Sequence, residues 1–254
     1  LESLRLWREG GFTDGLSAPH VNWDGFYIGG QAGYGSADMN FNGTTRNDAA
    51  HLLYGLALEQ AGNVSSWPVL GKASTRSSGF GGFAGYNGQW DDVLLGVEFN
   101  YLHADFNGSQ TGAMGRSFGD ATGYTNSVNY QATGSMSISD MATLRARGGY
   151  AFGSFLPYGF VGVAMGQADI VKTVSITGVA VNANAAPGFT RLPINYSVTD
   201  AQNSHFIYGY AGGLGMDMML VSCLFLRAEW EYVRFTSAVD TSVNTVRVGL
   251  GYKF

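Results

Sequence analysis

The sequence predicts an all-β protein, an eight-stranded antiparallel up-and-down transmembrane β-barrel with short periplasmic turns and long extracellular loops. Three observations predict it. From Asn244 to Phe254 the chain alternates: Val246, Val248, Leu250, Tyr252 and Phe254 are apolar, whereas Thr245, Arg247, Gly249, Gly251 and Lys253 are small or polar. Such a strand offers one face to lipid and one to a polar interior. Charged residues are 13% of the 254, while glycine, at 38, and aromatic residues are abundant; typical soluble chains carry roughly 25% charge. Finally, no apolar run approaches the roughly 18 residues of a membrane-spanning helix, and a sheet in lipid must close on itself to satisfy its backbone.

Taken in order, the elements begin with a segment over 1–22, expected on the periplasmic side. It opens Leu1, Leu4, Leu6, Trp7 and breaks at Gly10-Gly11, which reads as a short interfacial helix or a docking arm. No charged-then-apolar export segment precedes it, so the chain is expected to be a mature, exported form. The barrel is expected over 23–254.

Its first strand, near 25–36, sets Phe26, Ile28, Ala32 and Tyr34 on one face; the second, about 79–90, groups Phe80, Ala84, Tyr86 and Trp90. The third, about 93–104, opposes Val93, Leu95, Val97, Phe99 and Tyr101 to Glu98 and Asn100, and the fourth, about 137–152, opposes Leu144, Ala146 and Tyr150 to Arg145 and Arg147. The fifth, about 156–168, allows two phases, and the one chosen turns Tyr158, Phe160 and Ala164 outward against Val161 and Val163. The sixth, about 205–220, faces Phe206, Tyr208, Tyr210, Leu214, Met216 and Met218 away from Asp217 and several glycines. The seventh, about 223–235, opposes Leu224, Leu226, Ala228, Trp230 and Tyr232 to Arg227, Glu229 and Glu231; the terminal segment is the eighth.

Tight turns at 90–92, 152–155 and 220–222 alternate with loops expected at about 37–78, 105–136, 169–204 and 236–242, the short-periplasmic, long-extracellular rhythm of outer-membrane barrels. In the first loop, Ala49, Leu52, Leu53, Leu56, Ala57 and Gln60 recur at helical spacing, with Asn47 or Asp48 to cap and Gly62 to end a short amphipathic helix. Its stripe would rest on its own loops or the rim, or else on a neighbour or the outer leaflet. In the third long loop, Val174, Ile176, Val179 and Val181 suggest a hairpin above the membrane.

Net charge is −5, no basic run suits nucleic acid, and the lone Cys223 excludes an intrachain disulfide or a cysteine zinc cluster. The remaining charges converge. Counted from the short turns, Glu98, Arg145, Arg147, Arg227, Glu229, Glu231 and Arg247 fall in one mid-depth layer of a lumen wide enough only for side chains. Opposite charges there should pair: Glu98 with Arg145 or Arg147, and Glu229 with Arg247. A salt-bridged plug is the favoured reading over a gated ion path.

An aromatic girdle is expected from Trp90, Tyr150, Phe152, Tyr158, Tyr252 and Phe254. His103 and His205 belong near the extracellular rim, with Asp105, Asp200 and Ser204 close in sequence, but their spacing makes no catalytic set. No catalytic residue, metal site or cofactor is expected.

Several stretches resemble one family: Trp23-Asp24-Gly25-Phe26-Tyr27-Ile28-Gly29, Leu144-Arg145-Ala146-Arg147-Gly148-Gly149-Tyr150-Ala151-Phe152 with Leu156-Pro157-Tyr158, and Val248-Gly249-Leu250-Gly251-Tyr252-Lys253-Phe254. They look like the small opacity-type, porin-like outer-membrane β-barrel proteins of Alphaproteobacteria. The likeness lies in the strands; the front end and the long first and third loops depart from it.

The resemblance implies an abundant surface barrel in the bacterial outer membrane, serving envelope architecture rather than catalysis. It also implies that Leu250, Tyr252 and Phe254 form the signal read by the barrel-insertion machinery. The expected function is structural, contributing to envelope integrity and to surface assembly or adhesion. The alternative is a narrow conduit for small solutes, for which Gly29, Gly33, Gly209 and Gly213 would leave room. Expected partners are outer-membrane lipid and lipopolysaccharide, and further copies of the chain in a homo-oligomer or array, since a Gly/Ser-rich stretch such as 108–134 would otherwise be mobile.

Overall fold

The computed structural model describes residues 21–237 and 239–254, so most of the leading 1–22 segment lies outside the described residues. Eight strands form: β1 Gly25–Asn40, β2 Lys72–Trp90, β3 Val93–Gly119, β4 Thr125–Tyr150, β5 Phe155–Val181, β6 Arg191–Val221, β7 Leu224–Phe235 and β8 Asp240–Lys253. Each pairs with the next, and β8 returns antiparallel to β1, so the sheet closes as a barrel. No described helix is long and apolar enough to cross a membrane; the strands do that work.

Directly opposed residues of antiparallel neighbours share a face, so one alternating strand fixes the next. Leu144 lies opposite Phe99 and Val163, and all three are exposed on the outer wall. This corrects the phase of β5. Val161 and Val163 point outward, 68% and 63% exposed, whereas Tyr158, Phe160 and Ala164 are buried in the lumen. Tyr158 is therefore not part of the girdle. The other members, Trp90, Tyr150, Phe152, Tyr252 and Phe254, are exposed at the periplasmic ends of their strands.

The barrel is much taller on one side than on the other. The segments expected as loops at 105–136 and 169–204 are largely strand: β3 and β4 stay paired from Phe106↔Ile138 to Gly119↔Thr125, and β5 and β6 from Ile170↔Gln202 to Val181↔Arg191. Above the rim, β3 to β6 thus form a four-stranded tower, with true loops only at 120–124 and 182–190. The order of the 108–134 stretch is accounted for by this ladder within one chain. At roughly 3.3 Å per residue the added fifteen or so residues of β3 reach about 50 Å along the strand.

At the foot of the tower the register slips between His103 and Phe106 against Ile138 and Asp140, and again between Ala168 and Ile170 against Gln202 and His205. These β-bulges reverse the parity of β4 and β6. Below them apolar residues face out; above them Ser127, Asn129, Gln131 and Thr133 face out and Val128, Tyr130 and Ala132 are buried. The reversal follows the medium, lipid below and water above.

The tower's concave apolar face is covered by loop 41–71. The expected helix over 49–61 is broken into α1 Arg46–Leu52 and α2 Ala57–Gly62, because Gly55 takes a left-handed conformation at φ +78. Asn47 and Asp48 lie inside α1, and neither helix has a side-chain cap. Phe41, Ala49, Leu53, Leu58, Val64, Trp67 and Leu70 pack with Phe106, Ile138, Ile170, Val174 and Ile176 in one buried cluster. The stripe thus rests on the chain's own wall. Lys172 of β5 pins the loop, 2.9 Å from Asp48 and 3.0 Å from Asp200.

Candidate functional site

The site with the most concentrated chemistry is the ionic layer inside the barrel. Alternation turns one charged face of β3, β4, β6, β7 and β8 inward, and the registers Glu98↔Arg145, Asp217↔Arg227 and Glu229↔Arg247 set these groups at matching heights. Glu98, Arg145, Arg147, Arg227, Glu229, Glu231 and Arg247 are all buried there, and the structure adds Asp217. Four carboxylates meet four guanidiniums, so the layer is neutral.

Glu98 is the hub. Arg145 Nε donates to its Oε1 at 3.0 Å, Arg227 Nη1 to its Oε2 at 2.8 Å, and Arg147 Nη1 to the same oxygen at 3.3 Å. Arg145 also reaches across the lumen from β4 to β7, holding both oxygens of Glu229 at 2.8 and 2.7 Å. Asp217 receives Arg227 Nε at 2.8 Å and Nη2 at 3.0 Å, and Arg147 Nη2 at 2.8 Å. The bidentate geometry suits the planar fork of arginine.

The pairing expected for Glu98 is present, with both arginines. That of Glu229 with Arg247 is present as a looser ion pair at 3.8 Å: the close partner of Glu229 is Arg145, and Arg247 donates to Glu231 and to Asn100 Oδ1, the latter at 2.7 Å. Height along a strand says which groups share a level; which of them touch across an axis depends on side-chain reach.

Rings complete the layer. Tyr27 donates its hydroxyl to Glu98 at 2.6 Å and Tyr158 to Glu229 at 2.9 Å. Guanidinium carbons sit over ring faces, Arg147 at 3.8 Å from Tyr158, Arg227 at 3.9 Å from Phe83 and Arg145 at 4.0 Å from Phe160, which offsets part of the desolvation of the cations. The inward turn of Tyr158 has its reason here: Gly215 on β6 leaves the space the ring fills. The lumen glycines expected to leave a passage are filled likewise. A Cβ at Gly29 would overlap Phe83, one at Gly213 would overlap Phe160, and Gly33 and Gly209 face Arg247 and the β7 backbone at Arg234.

Apolar layers close the lumen on both sides. Beneath lie Trp23, Leu94, Leu156 and Phe225; above begins the large cluster shared by barrel, tower and loop. At the rim, His103 Nδ1 lies 2.9 Å from Asp140, which also accepts the Tyr101 hydroxyl at 2.5 Å. His205 is on β6, separated from β3 by β4 and β5, so the histidines do not meet. Among the described residues no three His, Cys, Asp or Glu side chains are grouped to hold a metal.

A closed barrel with lipid-facing walls and an ionic interior defines an outer-membrane β-barrel protein. This chain belongs to the outer membrane protein beta-barrel domain family, whose pattern it matches over residues 15–254. It is 26% identical over 200 residues to the 25 kDa outer-membrane immunogenic protein of Brucella ovis, covering 79% of this chain and 75% of that one. It is 23% identical over 248 residues to the 22 kDa outer membrane protein of Rhizobium leguminosarum bv. viciae, covering 93% and 80%. Among solved structures, the attachment invasion locus protein Ail of Yersinia pestis aligns with a TM-score of 0.38 at 12% identity, over 91% of this chain and 99% of that one. The location is accordingly the bacterial outer membrane, and the two curated relatives come from Alphaproteobacteria.

Proposed function

We propose that this is a sealed structural barrel that contributes to envelope integrity and holds a rigid tower outside the cell for surface assembly or adhesion. The observation that carries the reading is the filled lumen: an apolar floor, a neutral ionic layer and an apolar upper core are stacked along the axis. A barrel built this way does not act as a conduit, and its reactive-looking rim groups serve hydrogen bonding rather than catalysis. What it offers its surroundings is the tower.

One edge of that tower supports the adhesion role. From Arg191 to Ile207, β6 pairs with β5 alone, because β7 joins it only from Gly209↔Phe235, with Thr236 N–H bonded to the Tyr208 carbonyl just above. Unpaired strand edges are templates for added strands. Leu250, Tyr252 and Phe254, exposed on the outer wall of β8, serve on this reading as the insertion signal, and further copies in an array would meet through lipid-facing aromatics.

Planar-bilayer recording on the purified protein tests the seal. Little steady conductance is expected; a large, long-lived open state would overturn the reading in favour of the conduit. Crosslinking in native membranes tests the array, and a monomer throughout would remove it.

A further inference from the structure

We infer that the short side of the barrel carries a binding shelf for the phosphate of an outer-leaflet lipid, built from Arg76, Arg234 and Lys72. The inference deepens the lipid-partner reading above and is independent of whether the lumen conducts.

The outer wall changes character at one level. On β1 and β8 the last exposed apolar residues are Tyr34 and Val246, and the next outward positions are Ser36 and Asn244. Arg76 of β2 stands opposite Ser36. One step higher, Arg234 of β7 lies opposite Ser242, which lies opposite Asp38, which lies opposite Ser74. A further step up, Lys72 lies opposite Asn40, and Asn40 opposite Asp240. Each step is two residues, about 5 Å of height in a tilted strand, so Arg76, Arg234 and Lys72 stand about 5, 10 and 15 Å above the last apolar level, rising from the headgroup zone outward.

Arg76, Arg234 and Lys72 are exposed, and among the described residues their side chains have no hydrogen bond or ion pair. This is notable because carboxylates are near: Asp38 accepts the Ser74 hydroxyl instead, and Asp240 lines with Lys72, Arg234 and Asp38 a cleft of about 190 Å³. Three cations against two carboxylates leave a small net positive charge, so recognition is local, by forked donors on phosphate oxygens.

The opposite side of the barrel contrasts with this. At the corresponding level β3, β4 and β5 present Asp105, Asp140 and Asp169 and no arginine or lysine, and His103 there is already held by Asp140 at 2.9 Å. A phosphorylated lipid therefore finds exposed arginine and lysine side chains without a carboxylate partner on β7 and β2, on either side of β8 and β1. The wall selects where such a headgroup settles.

The test uses the full chain refolded in zwitterionic detergent, with bound lipid counted by native mass spectrometry. Three probes are compared: lipid A with its phosphates, the same lipid after enzymatic dephosphorylation, and inorganic phosphate as competitor. The expected result is retention of lipid A at least about tenfold tighter than the dephosphorylated lipid, lost to the same degree in the triple variant Lys72→Gln, Arg76→Gln, Arg234→Gln. Arg191→Gln, high on the tower, should leave retention unchanged. Equal binding of the two lipids, unaltered binding by the triple variant or an equal loss in Arg191→Gln would overturn the shelf. Displacement by inorganic phosphate at matching concentration would overturn the lipid as its source. Should the triple variant not fold, the two lipids on the unaltered chain decide.

Discussion

Glu98 shows how much one side chain can organise. It sits among three guanidiniums and a tyrosine hydroxyl, at a point no water reaches. Buried ion pairs add little over apolar packing, but removing one member strands its partners, at a cost of about 3–5 kcal/mol. Glu98→Gln keeps the shape and deletes the charge, so reversible urea unfolding in lipid vesicles should show a loss of that size. A change under about 1 kcal/mol, the scale of an exposed pair, would mean the arginines have other means of compensation. The inward charges were legible in the sequence, since lipid forbids them outside. Asp217 lay on the inward face of its strand but among glycines, without a second charge to mark its role. Tyr27 and Tyr158 were harder, because a tyrosine suits a girdle and a lumen equally; only the space left by Gly215 and the acceptor on Glu229 decide for Tyr158.

Among elements, the β3–β4 hairpin depends on its tip. Asp120 accepts from the Thr122 hydroxyl, the Asn126 amide and the backbone N–H groups of Thr122 and Tyr124. These bonds, that of Thr122 foremost, hold its carboxyl below the usual aspartate range. The folded value is the lower one, so the stabilisation is complete above about pH 4, the unfolded value, and fades as pH falls through the folded value. Amide exchange at Thr122 and Tyr124, corrected for intrinsic rates, should therefore accelerate at strongly acid pH, and Asp120→Asn should flatten that response. An unchanged acid response in the variant would show that the tip is held by something else. The tower itself was hidden by its own chemistry. A search for apolar-out strands misses Ser127 to Thr133, where polar residues face water and Val128, Tyr130 and Ala132 face in, and the bulges at the rim shift the parity between the two patterns. Loop one was half legible: its apolar stripe was visible, while the break at Gly55 separates two helices that a continuous spacing joins.

For the whole molecule, the tower and the membrane belt form one closed ladder on β4 and β5 but leave β6 open above Gly209. Hydrogen exchange should find 126–138 and 168–180 nearly as protected as the belt, with the free-edge amides of 191–207 exchanging much faster. Uniform protection along β6 would reveal that its edge is covered. The barrel's closure was evident from eight alternating segments and a terminal strand able to meet the first; its lopsided height was not, since nothing in lipid-facing periodicity reports on water-facing walls. The ionic layer also divides along the chain. Its amino-terminal contributors, Glu98, Arg145 and Arg147, hold one carboxylate and two guanidiniums, whereas Asp217, Arg227, Glu229, Glu231 and Arg247 hold three and two. Each half is thus left with one unmatched charge of opposite sign until the circle is completed, and a strand slipped by one residue would throw its ions into the bilayer. Assembly therefore carries its own proofreading, in which only the native circumference comes out electrically even.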